Sequence, residues 1–255
     1  MGKFAPAAAT TARIILGIAV LVGVWALLTT LFSPPAYLLP GPQRVFSVLV
    51  GRAGYLLGHA GITLIEILLG LGLGAVLGVI TALAMNRLPR AGRLVMPLVI
   101  ASQALPVFAI APLLVIWLGY GLASKIAMAT LIIYFPVVSA FHDGLNRTDA
   151  GLIDLAHLSG ATPGQTLRLI RVPAALPSLV SGLRLAAAVA PIGAVVGEWV
   201  GASKGLGFVM VQANARMQTD IVFAALFLLV VMALAVRFAV EAATRRLVPW
   251  MPENR

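Results

Sequence analysis

Residues 154–173 have the sequence DLAHLSGATPGQTLRLIRVP and interrupt a chain that is otherwise strongly apolar. The segment contains two arginines, an aspartate, a histidine and several hydroxyl and amide side chains. The whole chain has 255 residues, of which 61% are hydrophobic and 10% are charged. Soluble domains carry about 25% charged residues. A chain this apolar cannot cover its surface with polar groups, so we expect lipid to be its solvent.

The apolar residues form long continuous runs rather than alternating strands of about ten residues, which predicts an all-α polytopic membrane protein. A helix needs about 20 apolar residues to cross a bilayer. We expect one transmembrane domain over residues 1–255, in which the first run is a span rather than a cleaved signal. A short interfacial helix is predicted at 42–55. The six predicted spans cover residues 14–32, 62–85, 95–118, 124–141, 176–200 and 221–240.

The basic residues predict an orientation for these six spans. If both termini are cytoplasmic, eleven lysines and arginines fall in cytoplasmic loops and tails and five fall outside, Lys125 among the latter. This asymmetry is typical of the positive-inside rule. It also accounts for the net charge of +10 without a nucleic-acid partner. Residues 154–173, between the fourth and fifth spans, are therefore expected in the cytoplasm.

The sequence of residues 149–173 predicts two short helices that meet at a corner. Asp149 can cap the first helix, and Gly160 can supply the left-handed residue that ends it. Thr162 and Gln165 have the spacing of a capping box, with proline at the first helical position. We expect Pro173 to stop the second helix before the next span. A capped hairpin of this length predicts a docking element rather than a passive linker, because most connections have about 4–6 residues.

The same residues resemble the signature of the membrane-spanning permease subunits of bacterial ABC importers. That signature is Glu-Ala-Ala, three residues, Gly, nine residues, then Ile-x-Leu-Pro. Here the corresponding residues are Asp154-Leu155-Ala156, Gly160 and 170–173, at the same spacing. Aspartate replaces glutamate, and leucine and valine replace alanine and leucine. "LPGPQRVF", "LPVFAIAPLLVIWLGYGLASK" and "GEWVGASKGLGFVM" extend the resemblance to the taurine, alkanesulfonate and nitrate type of permease.

The resemblance implies a six-helix permease of the type I importer fold and a set of partners. It places a coupling helix on a cytoplasmic ATP-binding subunit, which would bind ATP and Mg²⁺. It also implies a second permease copy and an external substrate-binding protein, periplasmic or lipid-anchored, at a bacterial inner membrane. The residues that it assigns to coupling are Asp154, Ala156, His157, Gly160, Ile170 and Pro173.

A second group of residues is predicted to line a translocation path. Acidic groups inside spans are costly and usually face a cavity or a partner. For Glu66 we favour interfacial solvation or structural pairing, and for Glu198 the path. Prolines inside spans are tolerated where neighbours or water satisfy the freed backbone groups, although they can equally be packing bends. The predicted path residues are Gln103, Pro106, Pro191, Glu198, Trp199 and Asn214. Gly70, Gly74 and Gly78 predict close helix packing.

Several functions are disfavoured by what the sequence lacks. There is no cysteine, the three histidines have no metal-ligand spacing, and no GxxxxGK[ST] phosphate loop occurs. We therefore expect no metal site, no cofactor in this chain and no enzymatic activity of its own. An ion-coupled secondary transporter is the alternative class, but it predicts internal repeats and acidic groups near the bilayer centre, which we do not find.

The substrate is the least determined feature. "ASQALPVFAIAPLL", "AAAVAPIGAVVGEW" and "QANARMQTD" resemble permeases for hydroxymethylpyrimidine-type thiamine precursors. Taurine, another alkanesulfonate or nitrate is the alternative. An anion path is expected to present positive charge, but we predict only Arg184 and Arg237 as cations within spans. This favours a neutral heterocycle.

Overall fold

The structure is a computed structural model that describes residues 5–250, with side chains for residues 16, 17 and 19–250. All regular secondary structure in the described part is helical and no β-strand occurs there, which confirms the predicted all-α class. A π-helical turn at Leu167–Arg171 lies between α8 and α9. The helices are α1 Ala5–Leu31, α2 Pro42–Gly51, α3 Ala53–Arg87, α4 Pro89–Ala104, α5 Val107–Leu118, α6 Leu122–Asn146, α7 Ala150–Leu158, α8 Pro163–Thr166, α9 Val172–Gly201, α10 Leu206–Ala215 and α11 Thr219–Arg245.

Four helices in the described residues are long and apolar enough to cross a membrane: Ala53–Arg87, Leu122–Asn146, Pro163–Gly201 and Thr219–Arg245. The bent pair α4 and α5 makes a fifth candidate. In α1 the apolar stretch Ala19–Leu31 is shorter than a span. The first predicted span, at 14–32, falls partly on residues whose side chains lie outside the described part.

The predicted third span is not a single straight helix. α4 and α5 meet at a bend of 99°. The break falls at Leu105 and Pro106, where both residues have extended backbone angles. Proline provides no amide hydrogen for the helix ladder and disfavours helical angles in the residue before it. The kink expected at Pro106 is therefore a sharp break, while Pro97 and Pro112 lie inside continuous helices.

Residues 203–220 contain a helix of ten residues, α10, whose Leu206, Val209 and Ala213 are buried. Their side chains recur on one face at a spacing of three to four residues, the period of a helix that packs against its surroundings.

The chain divides into two compact units. One comprises Met1–Gly58 and Val209–Phe227, and within it Trp25 stacks on Phe223 with ring centroids 5.6 Å apart. In the same unit Arg44 Nε lies 3.1 Å from Asp220 Oδ2. These contacts join segments that are distant in the sequence. The predicted single domain stays a prediction.

In the second unit, His59–Phe208 and Leu228–Arg255, α6 packs closely against both α3 and α9. Glycines on α3 allow the closest approach: a Cβ atom at Gly70, Gly74 or Gly78 would lie 2.4 to 2.8 Å from a side chain of α6. On the other side, a Cβ atom at Gly193 of α9 would lie 2.6 Å from Ala129 Cα. The packing role predicted for the three α3 glycines is confirmed.

Candidate functional site

The segment from Asp149 to Thr166 has the local structure that its sequence predicts. The Asp149 side chain accepts hydrogen bonds from the backbone of Gly151 and Leu152 at the start of α7. Gly160 has a φ of 74°, the left-handed conformation that favours glycine. Thr162 and Gln165 form both bonds of a capping box at the start of α8. The corner is therefore built by contacts between residues only a few positions apart.

The prediction that Pro173 stops the second helix is wrong. Residues Pro163–Gly201 form one helix of 39 residues that includes the π-helical turn. At its end, Val172 donates its backbone hydrogen to Leu167 O, five residues back. The hydrogen-bond ladder is thus already shifted where Pro173 lacks a donor, so the proline ring is accommodated without breaking the helix.

The six residues assigned to coupling differ in exposure. They are the exposed Asp154, His157 and Gly160, the half-buried Ile170 and Pro173, and the buried Ala156. Next to them, the side chains of Leu155 and Leu158 are 60% and 87% exposed. No described residue covers these two apolar side chains. The α7 helix therefore has both a packed and an unpartnered side.

A cavity of about 1380 Å³ adjoins this segment. Its walls come from the last turns of α3, from the start of α4 and from residues 162–172. Three arginines line it, Arg87, Arg168 and Arg171, together with His157. No aspartate or glutamate is among its lining residues. This basic cavity was not predicted, because the two parts of its wall lie about 80 positions apart.

The predicted path residues lie in different settings. Gln103 and Pro106 are exposed at the bend between α4 and α5, and Pro191 is buried in α9. The ring of Trp199 lies 6.0 Å from that of Phe108, in the first turn of α5. Asn214 is exposed in α10, which belongs mainly to the other compact unit. A role for these residues in transport stays a prediction.

Glu198 is 2% exposed and holds the loop that follows α9. Its carboxylate accepts hydrogen bonds from Thr63 Oγ1, at 2.6 Å, and from the backbone of Gly207. Thr63 Oγ1 in turn accepts from Leu206 N at 2.8 Å, and His59 Nδ1 accepts from Gly205 N at 3.0 Å. Three successive backbone N–H groups are thus bound by side chains of α3 and α9. This network gives Glu198 an anchoring contact in addition to its predicted role.

Two further charged residues inside helices have partners that the sequence did not indicate. Lys125, counted among the external charges at the start of the fourth predicted span, lies in the first turn of α6 and is 2% exposed. Its ammonium group donates to three backbone carbonyls, those of Tyr120, Gly121 and Gly201. Arg184 lies 3.9 Å from Glu241 of α11. Among the described residues, no group of three or more histidine, aspartate or glutamate side chains could hold a metal ion.

The comparisons with known proteins identify the class. Residues 74–251 match the family of the binding-protein-dependent transport system inner membrane component. A probable ABC transporter permease protein of Haemophilus influenzae is 49% identical over 231 residues, which cover 91% of this chain and 94% of that protein. The chain therefore belongs to this family and is the permease subunit of an ABC importer.

Two other relatives have names that specify a substrate. The formylaminopyrimidine transport permease protein ThiX of Halalkalibacterium halodurans is 37% identical, over 90% of this chain and 92% of that protein. The taurine transport system permease protein TauC of Escherichia coli is 32% identical, over 92% and 88%. Among solved structures, the methionine ABC transporter MetNI in inward-facing conformations has a TM-score of 0.65 at 24% identity. That match covers 76% of this chain and 96% of that chain and establishes the fold.

Family membership decides between the transport classes. Permeases of this family act in the inner membrane together with ATP-binding and substrate-binding partners. ATP hydrolysis takes place on a separate subunit rather than on the permease. An ion-coupled secondary transporter, the alternative left open by the sequence, is therefore excluded.

Proposed function

We propose that this permease imports a neutral aminopyrimidine of the kind used as a thiamine precursor. The observation that carries the proposal is the 37% identity to a formylaminopyrimidine permease along nine-tenths of both chains. Most of the positive charge within the helices is already engaged. The Lys125 ammonium is bound by backbone carbonyls and Arg184 faces Glu241, whereas Arg237 is exposed in α11. Little positive charge within the spans is therefore left for a substrate anion.

The second candidate is taurine or a related alkanesulfonate, supported by the 32% identity to the taurine permease over a similar share of the chain. Nitrate is a further member of this alternative. Nitrate and simple alkanesulfonates are anions, whereas taurine carries both a sulfonate and an ammonium group. A path for an anionic group is expected to present positive charge. The carbonyl contacts of Lys125 and the ion pair of Arg184 with Glu241 leave only Arg237 among the cations within the spans, which argues against this alternative.

Growth of a deletion strain distinguishes the two candidates. In a host whose own pyrimidine synthesis for thiamine is blocked, we expect deletion to abolish growth on exogenous formylaminopyrimidine or hydroxymethylpyrimidine at limiting concentration. Use of taurine as the sulfur source should be unchanged. If the deletion leaves growth on the pyrimidine intact and abolishes use of taurine or nitrate, the second candidate replaces the first.

We further propose that residues 154–173 dock on the ATP-binding subunit, which binds the ATP and Mg²⁺. The exposed Leu155 and Leu158 supply an apolar contact, and the capped corner at Gly160 keeps α7 at a fixed angle to the following helix. A second copy of the permease and an external binding protein complete the importer in this proposal.

The proposal also places both termini in the cytoplasm, the side on which residues 154–173 meet the ATP-binding subunit.

Substitutions at Gly160 test the docking proposal. A Cβ atom there meets no other atom within 4 Å, so only the φ of 74° restricts the residue. Valine is strongly disfavoured in this conformation, whereas asparagine adopts it readily. We expect Gly160→Val to uncouple ATP hydrolysis from uptake and Gly160→Asn to retain coupling, with equal amounts of both variants in the membrane. Normal uptake by Gly160→Val contradicts the proposal.

A further inference from the structure

The basic cavity beside the coupling segment has a charge that the described residues leave unbalanced. Arg87, Arg168 and Arg171 line it, and the described residues offer them no ion-pair or hydrogen-bond partner. In contrast, Arg44 and Arg184 each face a carboxylate. Three guanidinium groups on one open cavity create a positive potential that favours an anionic ligand.

The same cavity continues along an apolar surface. Ile80 and Leu83 line it from α3, a helix with the length and hydropathy of a membrane span. Ile80 is 57% exposed. Leu88 and Leu169, which also line the cavity, are 62% and 68% exposed. Because α3 ends at Arg87, the charged part of the cavity lies at the end of the span and the apolar part lies along it. A free anion would use only the first part.

We propose that this cavity binds an anionic phospholipid, with the lipid phosphate at Arg87, Arg168 and Arg171 and an acyl chain along Ile80 and Leu83. Guanidinium groups bind phosphate oxygens in a bidentate manner. Basic pockets between transmembrane helices at a membrane surface are suited to lipid headgroups. The volume of about 1380 Å³ accommodates a headgroup and part of a chain.

The position of the cavity gives the lipid a second consequence. Residues 162–172 form both the cavity wall and the second half of the proposed coupling segment. A bound lipid therefore contacts the helix that joins this segment to α9. This effect on coupling rests on the proposed function, whereas lipid binding itself does not.

Native mass spectrometry of the purified permease with its ATP-binding subunit tests lipid binding directly. The complex is titrated with phosphatidylglycerol or with phosphatidylcholine, in the absence of ATP and substrate. We expect tighter binding of phosphatidylglycerol and a loss of about fivefold in its affinity for each of Arg87→Gln, Arg168→Gln and Arg171→Gln. Arg168→Lys keeps the charge but not the bidentate geometry, and should lose less affinity than Arg168→Gln.

The matched control is Arg90→Gln, which removes the same charge from an exposed arginine that does not line the cavity. Its affinity for phosphatidylglycerol should stay within about twofold of the unaltered chain. Equal binding of the two lipids, or an equal loss in Arg90→Gln, overturns the proposal. Displacement of the lipid by millimolar inorganic phosphate also overturns it, because the cavity is then a site for free anions. Because no transport is measured, a wrong substrate or coupling assignment leaves this result unaffected.

Discussion

Two glycines of α3, only two positions apart, have opposite surroundings. A Cβ atom at Gly74 would lie 2.7 Å from Ile133 Cγ2 of α6, whereas one at Gly72 would meet nothing within 4 Å. We expect Gly74→Ala to lower the free energy of unfolding by about 1–3 kcal/mol, because α3 and α6 must separate. Gly72→Ala should leave it unchanged or raise it by up to about 1 kcal/mol. Unfolding in detergent by added dodecyl sulfate measures both, and equal values contradict the packing role.

Thr63 and Thr130 form a second matched pair. Both are buried, but Thr63 Oγ1 donates to Glu198 and accepts from Leu206 N, whereas Thr130 Oγ1 has no partner among the described residues. Thr63→Val leaves a buried N–H unpaired and should cost about 1–3 kcal/mol of stability. Thr130→Val should be neutral or stabilising. If Thr63→Val costs no more than Thr130→Val, the network around Glu198 does not hold the loop.

Single residues also show what a sequence can and cannot predict. Charges such as Glu66 and Glu198 are conspicuous in apolar runs, so the sequence marks them as unusual positions. It does not predict their contacts, because Thr63 and Glu198 are 135 positions apart and periodicity carries no information on such pairs. The burial of Lys125 was missed for a related reason. Its partners are the backbone carbonyls of Tyr120 and Gly121, just before α6, and that of Gly201, and every residue type supplies a carbonyl.

At the scale of helices, local rules predicted the ends of elements well where the contacts are local. The Asp149 cap, the left-handed Gly160 and the Thr162–Gln165 capping box all involve residues at most four positions apart. The rules were less accurate for prolines. Pro106 breaks its span and Pro173 does not, because a π-helical turn precedes the second. Whether the ladder can shift in this way depends on the packing of the whole helix.

The bend between α4 and α5 leads to a distance prediction. A continuous helix from Arg90 to Trp117 would span about 40 Å, whereas two arms that meet at the observed bend of 99° bring the ends to within about 25–30 Å. Both residues are exposed, and the sequence contains no cysteine, so spin labels at Arg90→Cys and Trp117→Cys report one distance. A double electron–electron resonance distance near 40 Å contradicts the bend. Arg90→Cys labelled alone is the control for distances between two copies of the chain.

For the whole molecule, apolar composition predicted a helical membrane protein, and the spaced residues of 154–173 predicted its family. Both are shown by the fold and by the family match over residues 74–251. The number of spans was harder to predict, because length and hydropathy do not distinguish a straight helix from the bent pair α4 and α5. The substrate is harder still, since permeases of similar identity have names that specify different solutes.

The orientation of the molecule can be tested directly, because the sequence contains no native cysteine to react. Ser159 and Ser203 are both exposed and lie on either side of α9, a helix that is part of a candidate span. The excess of arginine around Ser159 predicts that it faces the cytoplasm. In intact cells with a permeable outer membrane, a membrane-impermeant maleimide should label Ser203→Cys and not Ser159→Cys. Labelling of both after cell lysis confirms that each thiol is reactive. The reverse pattern inverts the topology, and it also removes the coupling segment from the side on which an ATP-binding subunit can reach it.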